Sequence, residues 1–390
     1  MKKLVLIWLD AFSDRYLSPN LCPFLWNFVE KHFFSRISPL FAYIGIEYSF
    51  ELGLSINTHK IWNDHTFVGF DVENAHTPRN RLVKRMLQLV DGISPNDGMN
   101  KIVRYAVFKA SNVEYGTPHL IPANLLDSFP VCKGDKRRNL YKVLRHHGIK
   151  YLKREPRLNI LEYSLIKNVP KLLRNYDALF FKLNSLDRLG HERGPLSDAV
   201  KNRVRYLDGL LRRLYEELEN KATLIIISDH GMVPVVYKFD LISFLRSKGF
   251  EYGNHYMAFV GATYTSFWFK NKEHRDAILK DLTTLNVGRF LSSDDRVRLG
   301  IENIGREYGE EIYVAEEHNI FFPEFYHRRN PPKGMHGYAY GKYDNPVLFM
   351  CSDSTINLRK DKIDFIDCMP TILRLFDLPI PQYVEGHSLI

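Results

Sequence analysis

The chain is poor in cysteine, with four in 390 residues: Cys22, Cys132, Cys351 and Cys368. None belongs to a CxxC pair and no regular spacing links them, which argues against a disulfide framework and against a thiolate metal site. Reduced thiols and a cytoplasmic location are the expectation. Long apolar runs are missing too, so no transmembrane segment is expected. Met1-Lys2-Lys3 followed by Leu4 to Leu9 begins like a secretory leader, but Asp10 interrupts the run before an apolar core develops. Internal repeats, low-complexity tracts and nucleic-acid motifs are also absent. The formal charge of +9 is spread along the chain, with local basic stretches at Lys133–Arg138 and Arg145–Arg154. It is compatible with an anionic small molecule, while no nucleic acid polymer is expected as a partner. Nothing in the sequence specifies an oligomeric state.

What is present has the rhythm of an α/β protein. Leu4-Val5-Leu6-Ile7-Trp8-Leu9 is an unbroken apolar run, as expected of a parallel strand buried on both faces. Ser18-Pro19-Asn20 supplies turn chemistry, and Leu21, Phe24, Leu25, Phe28 and Val29 follow at helical spacing. A second apolar run, Ala178–Phe181, leads to Asp187 and His191. Then comes a long helical pattern through Val200, Val204, Leu207, Leu211, Leu214 and Leu218. A third run, Thr223–Ile227, ends in Ser228-Asp229-His230-Gly231; Val347–Met350 is a fourth candidate, and Ile363–Phe376 reads as partly helical. Alternation of this kind predicts a mostly parallel sheet with helices on both faces. The expected division is a catalytic core from 1–64, 176–249 and 335–390. Residues 65–175 read as a cap-like insertion bordering the site, and 250–334 as a small α+β subdomain.

Ligands in such sheets gather beyond the carboxyl ends of the strands. Asp10, Asp187 with His191, and Asp229 with His230 all follow an apolar run, and His336 lies in the glycine-flanked loop Gly334-Met335-His336-Gly337. Taken singly, each is as well explained by a helix cap, a surface ion pair or a structural histidine. Together, three Asp and three His suffice for two divalent metal ions in a hydrolase of phosphate esters. Carboxylate and imidazole without thiolate favour zinc, with manganese or iron as alternatives.

These segments resemble the alkaline phosphatase superfamily, and within it the branch of type I phosphodiesterases and nucleotide pyrophosphatases. Leu6-Ile7-Trp8-Leu9-Asp10 resembles the first metal strand, and Leu52-Gly53-Leu54-Ser55-Ile56-Asn57-Thr58-His59-Lys60-Ile61 the "TGLxPxxHGI" segment. Leu186-Asp187-Arg188-Leu189-Gly190-His191-Glu192-Arg193-Gly194-Pro195 resembles "xDxxGHxxGP", and Ser228-Asp229-His230-Gly231-Met232 resembles "SDHGM". Gly334-Met335-His336-Gly337-Tyr338 resembles the last ligand motif, and Asp367-Cys368-Met369-Pro370-Thr371-Ile372-Leu373 through Glu385-Gly386-His387-Ser388-Leu389 the family's tail. The resemblance implies that Asp187, His191 and His336 hold one zinc. Asp10, Asp229 and His230 would hold the other, together with a Thr or Ser nucleophile.

The chain departs from that pattern at the nucleophile. The matching position, ten residues before Gly53, is Tyr43, and the threonine before that glycine is replaced by Leu52. Ser49 has suitable chemistry but falls well along the following helix. The attacking oxygen is thus either the Tyr43 hydroxyl or a water held at the metal, with water favoured and Tyr43 read as lining the pocket. Asn63 stands one residue from the position of a phosphoryl-binding Asn. The Cys/Ser-x-Pro-x-Arg segment of sulfatases is absent. The resemblance therefore implies a phosphodiesterase or nucleotide pyrophosphatase-like hydrolase. The alternatives are a catalytically impaired metal- and anion-binding member, or a phosphomutase or phosphotransferase.

Overall fold

An unbroken apolar strand needs cover on both sides, and the residues of Leu4–Leu9 divide accordingly. Leu4, Leu6 and Trp8 enter one hydrophobic core, while Val5, Ile7 and Leu9 enter another on the opposite face. The same alternation separates Phe180 from Leu179 and Phe181, and Ile225 and Ile227 from Leu224 and Ile226. In this computed structural model the described residues are 2–37, 40–63, 66–67, 69, 138–156, 159–218, 221–327, 330–339, 347–353 and 363–390.

In chain order the strands used below are β1 (Leu4–Leu9), β2 (Phe33–Ile37), β3 (Tyr151–Arg154), β4 (Ala178–Leu183) and β5 (Thr223–Ile227). They are followed by β6 (Tyr256–Gly261), β7 (Tyr264–Phe269), β8 (Gly288–Phe290), β9 (Glu311–Ala315) and β10 (Val347–Cys351). The helices are α1 (Pro23–Lys31), α2 (Ile44–Leu52), α3 (Ser185–Arg193), α4 (Asp198–Leu218) and α5 (Cys368–Leu375).

The main sheet has the order β2-β10-β5-β1-β4-β3. β1 pairs in parallel with β4 and β5, placing Leu6 opposite both Phe180 and Ile225. β3 continues the parallel set beside β4, whereas β10 runs antiparallel to both β5 and β2. The expected mostly parallel α/β sheet is therefore present. Its three central strands, β5, β1 and β4, are the ones that the Asp and His segments follow, so their carboxyl ends open side by side.

Helices cover both faces. α1 and α4 lie over the core containing Val5 and Ile7, and the buried Asp208 of α4 accepts hydrogen bonds from Phe24 N and Leu25 N at 3.1 and 2.8 Å. Two otherwise unpaired amides at the start of α1 are thereby satisfied. α2 and α5 lie over the other face. A second sheet, antiparallel with order β8-β9-β7-β6, joins that same core through Tyr256, Phe259, Tyr264 and Phe267. Among the described residues, no helix is long and apolar enough to cross a membrane.

One boundary needs correction. The insertion expected over 65–175 cannot extend to 175, because Tyr151–Arg154 is an edge strand of the main sheet. Its four residues are two partly buried ones and two exposed basic ones, Lys153 and Arg154, so they read in sequence as part of a basic patch. Charged residues are usual on such an edge. Most of the remainder of that segment, 70–137, lies outside the described residues, and with it all of the first basic patch but Arg138.

The helix bearing Asp187 and His191 is anchored by a buried carboxylate. Glu162 Oε1 accepts from Ser185 N at 3.0 Å at the start of α3, and Glu162 also pairs with Arg203. Arg203 Nε in turn donates to Ser185 Oγ at 2.7 Å. Glu162→Ala would leave a nearly buried guanidinium unpaired, at a cost of about 3–5 kcal/mol. A lowered urea midpoint is the expected result; an unchanged midpoint would contradict this role.

Candidate metal centre

Asp10 follows β1 directly, and Asp229-His230 comes two residues after β5. Asp187 and His191 stand one turn apart on α3, immediately beyond β4. His336, far away in sequence, arrives through a short antiparallel ladder in which Gly334 pairs with Pro234 and Met335 with Val233. This ladder ties the last histidine to the segment that follows His230. The approach is close: a Cβ on Gly334 would stand 2.7 Å from Pro195 Cδ and 2.8 Å from the Gly190 carbonyl oxygen. Only glycine fits there.

All six residues expected as ligands gather at this edge. Donor atoms of Asp187, His230 and His336 lie within 4.8 Å of one another, and so do those of Asp10, Asp229 and His230. His191 Nε2 is 3.2 Å, and His336 Nε2 3.6 Å, from Asp187 Oδ1. His230 Nε2 is 3.1 Å from Asp10 Oδ1 and 3.8 Å from Asp229 Oδ2. The rings of His230 and His336 stack with centroids 3.6 Å apart.

The backbone dictates what these nitrogens can offer. His191 Nδ1 lies 2.8 Å from the Gly334 carbonyl oxygen and His230 Nδ1 2.9 Å from that of Gly231. A carbonyl only accepts, so both Nδ1 atoms carry hydrogen, and in the neutral form the rings turn an Nε2 lone pair towards a carboxylate. Lone pair then faces lone pair unless a cation stands between. Consistent with this, Asp187 Oδ1 is buried and receives no well-aligned hydrogen bond. A proton can meet the need, and so can a divalent metal; a carbonyl fixing the far nitrogen is the usual support of a metal-binding histidine. Asp187 and His336, with His230 as the third donor within 4.8 Å, therefore fit a metal ion, and His191 approaches Asp187 Oδ1 from its own side at 3.2 Å.

The charges of the side chains are strongly coupled. Burial works to raise the pKa of Asp187, but His191, His230 and Lys182 outweigh it and hold the carboxyl at about 2. Burial likewise opposes charge on His230, yet Asp229, Asp10 and Asp187 lift its pKa well above the ordinary value. His336 moves the other way, well below the ordinary value, through burial and its cationic neighbours His230 and His191. Asp229 is raised by burial and by Asp10.

Sequence reasoning missed Lys182. It is the one charged residue of β4, and its Nζ lies 3.3 Å from Asp10 Oδ2, 3.5 Å from Asp229 Oδ2 and 3.2 Å from Glu47 Oε1. Burial disfavours its charge, but the carboxylates of Asp10, Asp229 and Glu47 prevail and push its pKa well up. A lone lysine inside an apolar strand was the available clue. His327 was missed as well; its ring lies 5.0 Å from that of His191, and its Nδ1 is 2.6 Å from the buried Glu324.

The position-matched Tyr43 caps the start of α2. Its hydroxyl shares a 2.7 Å hydrogen bond with Thr263 Oγ1 and donates to the Gly337 carbonyl at 3.3 Å, beside His336. Its ring packs on Tyr264, with centroids 4.7 Å apart. Asn63 is buried, donating to the Tyr264 hydroxyl and accepting from that of Tyr326 at 3.1 Å. Both residues thus belong to an aromatic cluster against the His336 loop. Ser49 is buried inside α2 and hydrogen-bonds His59 Nε2 at 2.9 Å, so its hydroxyl is engaged in packing.

Acidic and imidazole groups at the ends of three adjacent parallel strands, on a sheet of this order, define an alkaline phosphatase-like α/β protein. The profile of the family described as type I phosphodiesterase / nucleotide pyrophosphatase matches residues 4–339, and the chain belongs to that family. Murine ectonucleotide pyrophosphatase / phosphodiesterase 5, solved as an inactive form in complex with AMP, superposes with a TM-score of 0.66 at 13% identity. That alignment covers 98% of this chain and 96% of the murine one. The human counterpart gives 0.64 at 14% identity, covering 99% and 97%. Among curated proteins, GPI ethanolamine phosphate transferase 2 of Kluyveromyces lactis is 25% identical over 75 residues, 18% of this chain and 10% of that protein. Its namesake in Candida glabrata is 30% identical over 76 residues, 18% and 9% respectively. The matches thus span about a tenth of those relatives' length.

Gly334→Ala tests how tightly the loops are fitted. Its methyl group meets backbone and a proline ring, which cannot give way cheaply, so about 1–3 kcal/mol of stability should be lost. The carbonyl that orients His191 should shift with it, lowering zinc affinity about 10-fold or more. Unaltered affinity in a competition titration with a chromophoric chelator would contradict the assignment.

Proposed function

We propose that the chain is a metal-dependent hydrolase of phosphate esters, acting on phosphodiester or pyrophosphate bonds of an anionic small molecule. One observation carries this reading: the Nε2 atoms of His191 and His336 converge on Asp187 Oδ1, a buried atom without a well-aligned donor. Family membership supplies the reaction class. Asp187, His191 and His336 are the residues that would hold the ion, and the thiolate-free donor set favours zinc over manganese or iron. When bound, such an ion supplies Lewis acidity towards a phosphoryl oxygen.

The chain's own groups do the rest. His191 is held in one tautomer and one orientation by Gly334. Lys182 offsets the carboxylates of Asp10 and Asp229, reducing repulsion of an incoming anion. Tyr43 and Asn63 are held within the aromatic cluster rather than presenting a free nucleophile. The AMP named with the murine neighbour supports a nucleotide-like ligand.

A second reading, phosphotransfer to an alcohol, is supported by the resemblance of short segments to the GPI ethanolamine phosphate transferases. The same site would serve; the acceptor would differ. Hydrolysis of bis(p-nitrophenyl) phosphate in the presence and absence of glycerol separates the two, since a transferase yields the glycerol ester.

Turnover should disappear with a chelator and return with zinc. Asp187→Asn should lower kcat/KM about 100-fold or more, a barrier change of roughly 2.7 kcal/mol, and reduce bound metal in parallel. Undiminished activity in a chelator-treated protein shown to be free of metal would overturn the proposal.

A further inference from the structure

The Asp10, Asp229 and His230 group differs from its neighbour in one respect: a side-chain cation already stands in it. Lys182 Nζ contacts one oxygen of each carboxylate, at 3.3 and 3.5 Å, and is steadied from the other side by Glu47 at 3.2 Å. Its ammonium also lies 5.1 Å over the Trp8 ring. The lysine is not a mobile surface residue. It lies on central strand β4 in register with Trp8, two residues before Asp10, and its side chain is only 19% exposed. A second observation points the same way. The nucleophile position, from which a threonine would add an oxygen to this group, carries Tyr43, whose hydroxyl is bonded to Thr263 and directed at the Gly337 carbonyl.

We propose that the Lys182 ammonium takes the place of the second metal ion, so that the chain holds a single divalent ion, at Asp187, His191 and His336. The residues of the second group thus do not fit the two-metal arrangement that the resemblance implies. Bound there, a dication would sit beside a fixed ammonium, with three protein ligands and without the nucleophile's oxygen. This inference rests on the metal-dependent reading of the site.

The test is a metal count. Wild-type protein equilibrated with excess zinc and then desalted should retain one zinc per chain by inductively coupled plasma mass spectrometry. Lys182→Met, of similar length but uncharged, should retain two. Should that variant fail to fold with its carboxylates unmatched, Asp229→Asn gives the complementary reading: it should still retain one. Two ions in the wild type, falling to one in Asp229→Asn, would overturn the proposal and leave the metal-dependent reading standing. A folded Lys182→Met protein that still holds one ion would also overturn it. No zinc retained by the wild type would sink both.

Discussion

Acceptors that face one another across a buried space are the constraint on which this site depends. Two histidines have their Nδ1 hydrogens committed to backbone carbonyls, so in the neutral form their other nitrogens present lone pairs to Asp187 and Asp10. Such an arrangement is unfavourable in a low-dielectric setting without positive charge between the groups. The protein offers several forms of that charge: a proton on His230 or His191, the ammonium of Lys182, and a bound metal. These are alternatives in competition, and the opposite displacements of His230 and His336 express it. Two stacked imidazoles at 3.6 Å cannot both be cationic without strong repulsion.

The fold makes this convergence unavoidable. Parallel strands β5, β1 and β4 end at the same edge, so residues that follow each of them meet although nearly 220 positions separate the first from the last. The supports are local: Glu162 and Arg203 fix the start of α3, and the Gly334–Pro234 ladder fixes the His336 loop. Closeness of the Gly190, Met232 and Gly334 segments leaves no room for a side chain at Gly334, and at Gly190 one would have to displace the Met232 side chain. A rigid scaffold thus carries groups that would otherwise repel.

Much of this was legible in the sequence because parallel, doubly buried strands write unbroken apolar runs. Leu4–Leu9 and Thr223–Ile227 announce themselves, and an Asp or Asp-His just beyond such a run stands at the ligand-binding edge. Less visible were elements that lack such a run. Tyr151–Arg154 is a short edge strand with two cations, and Phe33–Ile37 mixes Ser and Arg into its five residues. Lys182 escaped for a different reason: the family pattern directs attention to ligands, and the one sign of a cation among them was a lone lysine inside an apolar run. Tyr43 and Asn63 were found by position matching, but their engagement with Thr263, Tyr264 and Tyr326 depends on a second sheet that the motifs do not describe.

Reaction class and metal site are joined by one claim, that Asp187 and His336 hold a divalent ion. Anomalous diffraction from zinc-soaked crystals at the zinc absorption edge tests it most directly. A peak bonded to Asp187 and His336 at about 2.0–2.2 Å is the result this account predicts. A fully zinc-exposed crystal without anomalous density there, with Asp187 Oδ1 bonded instead to a protonated imidazole, would contradict it.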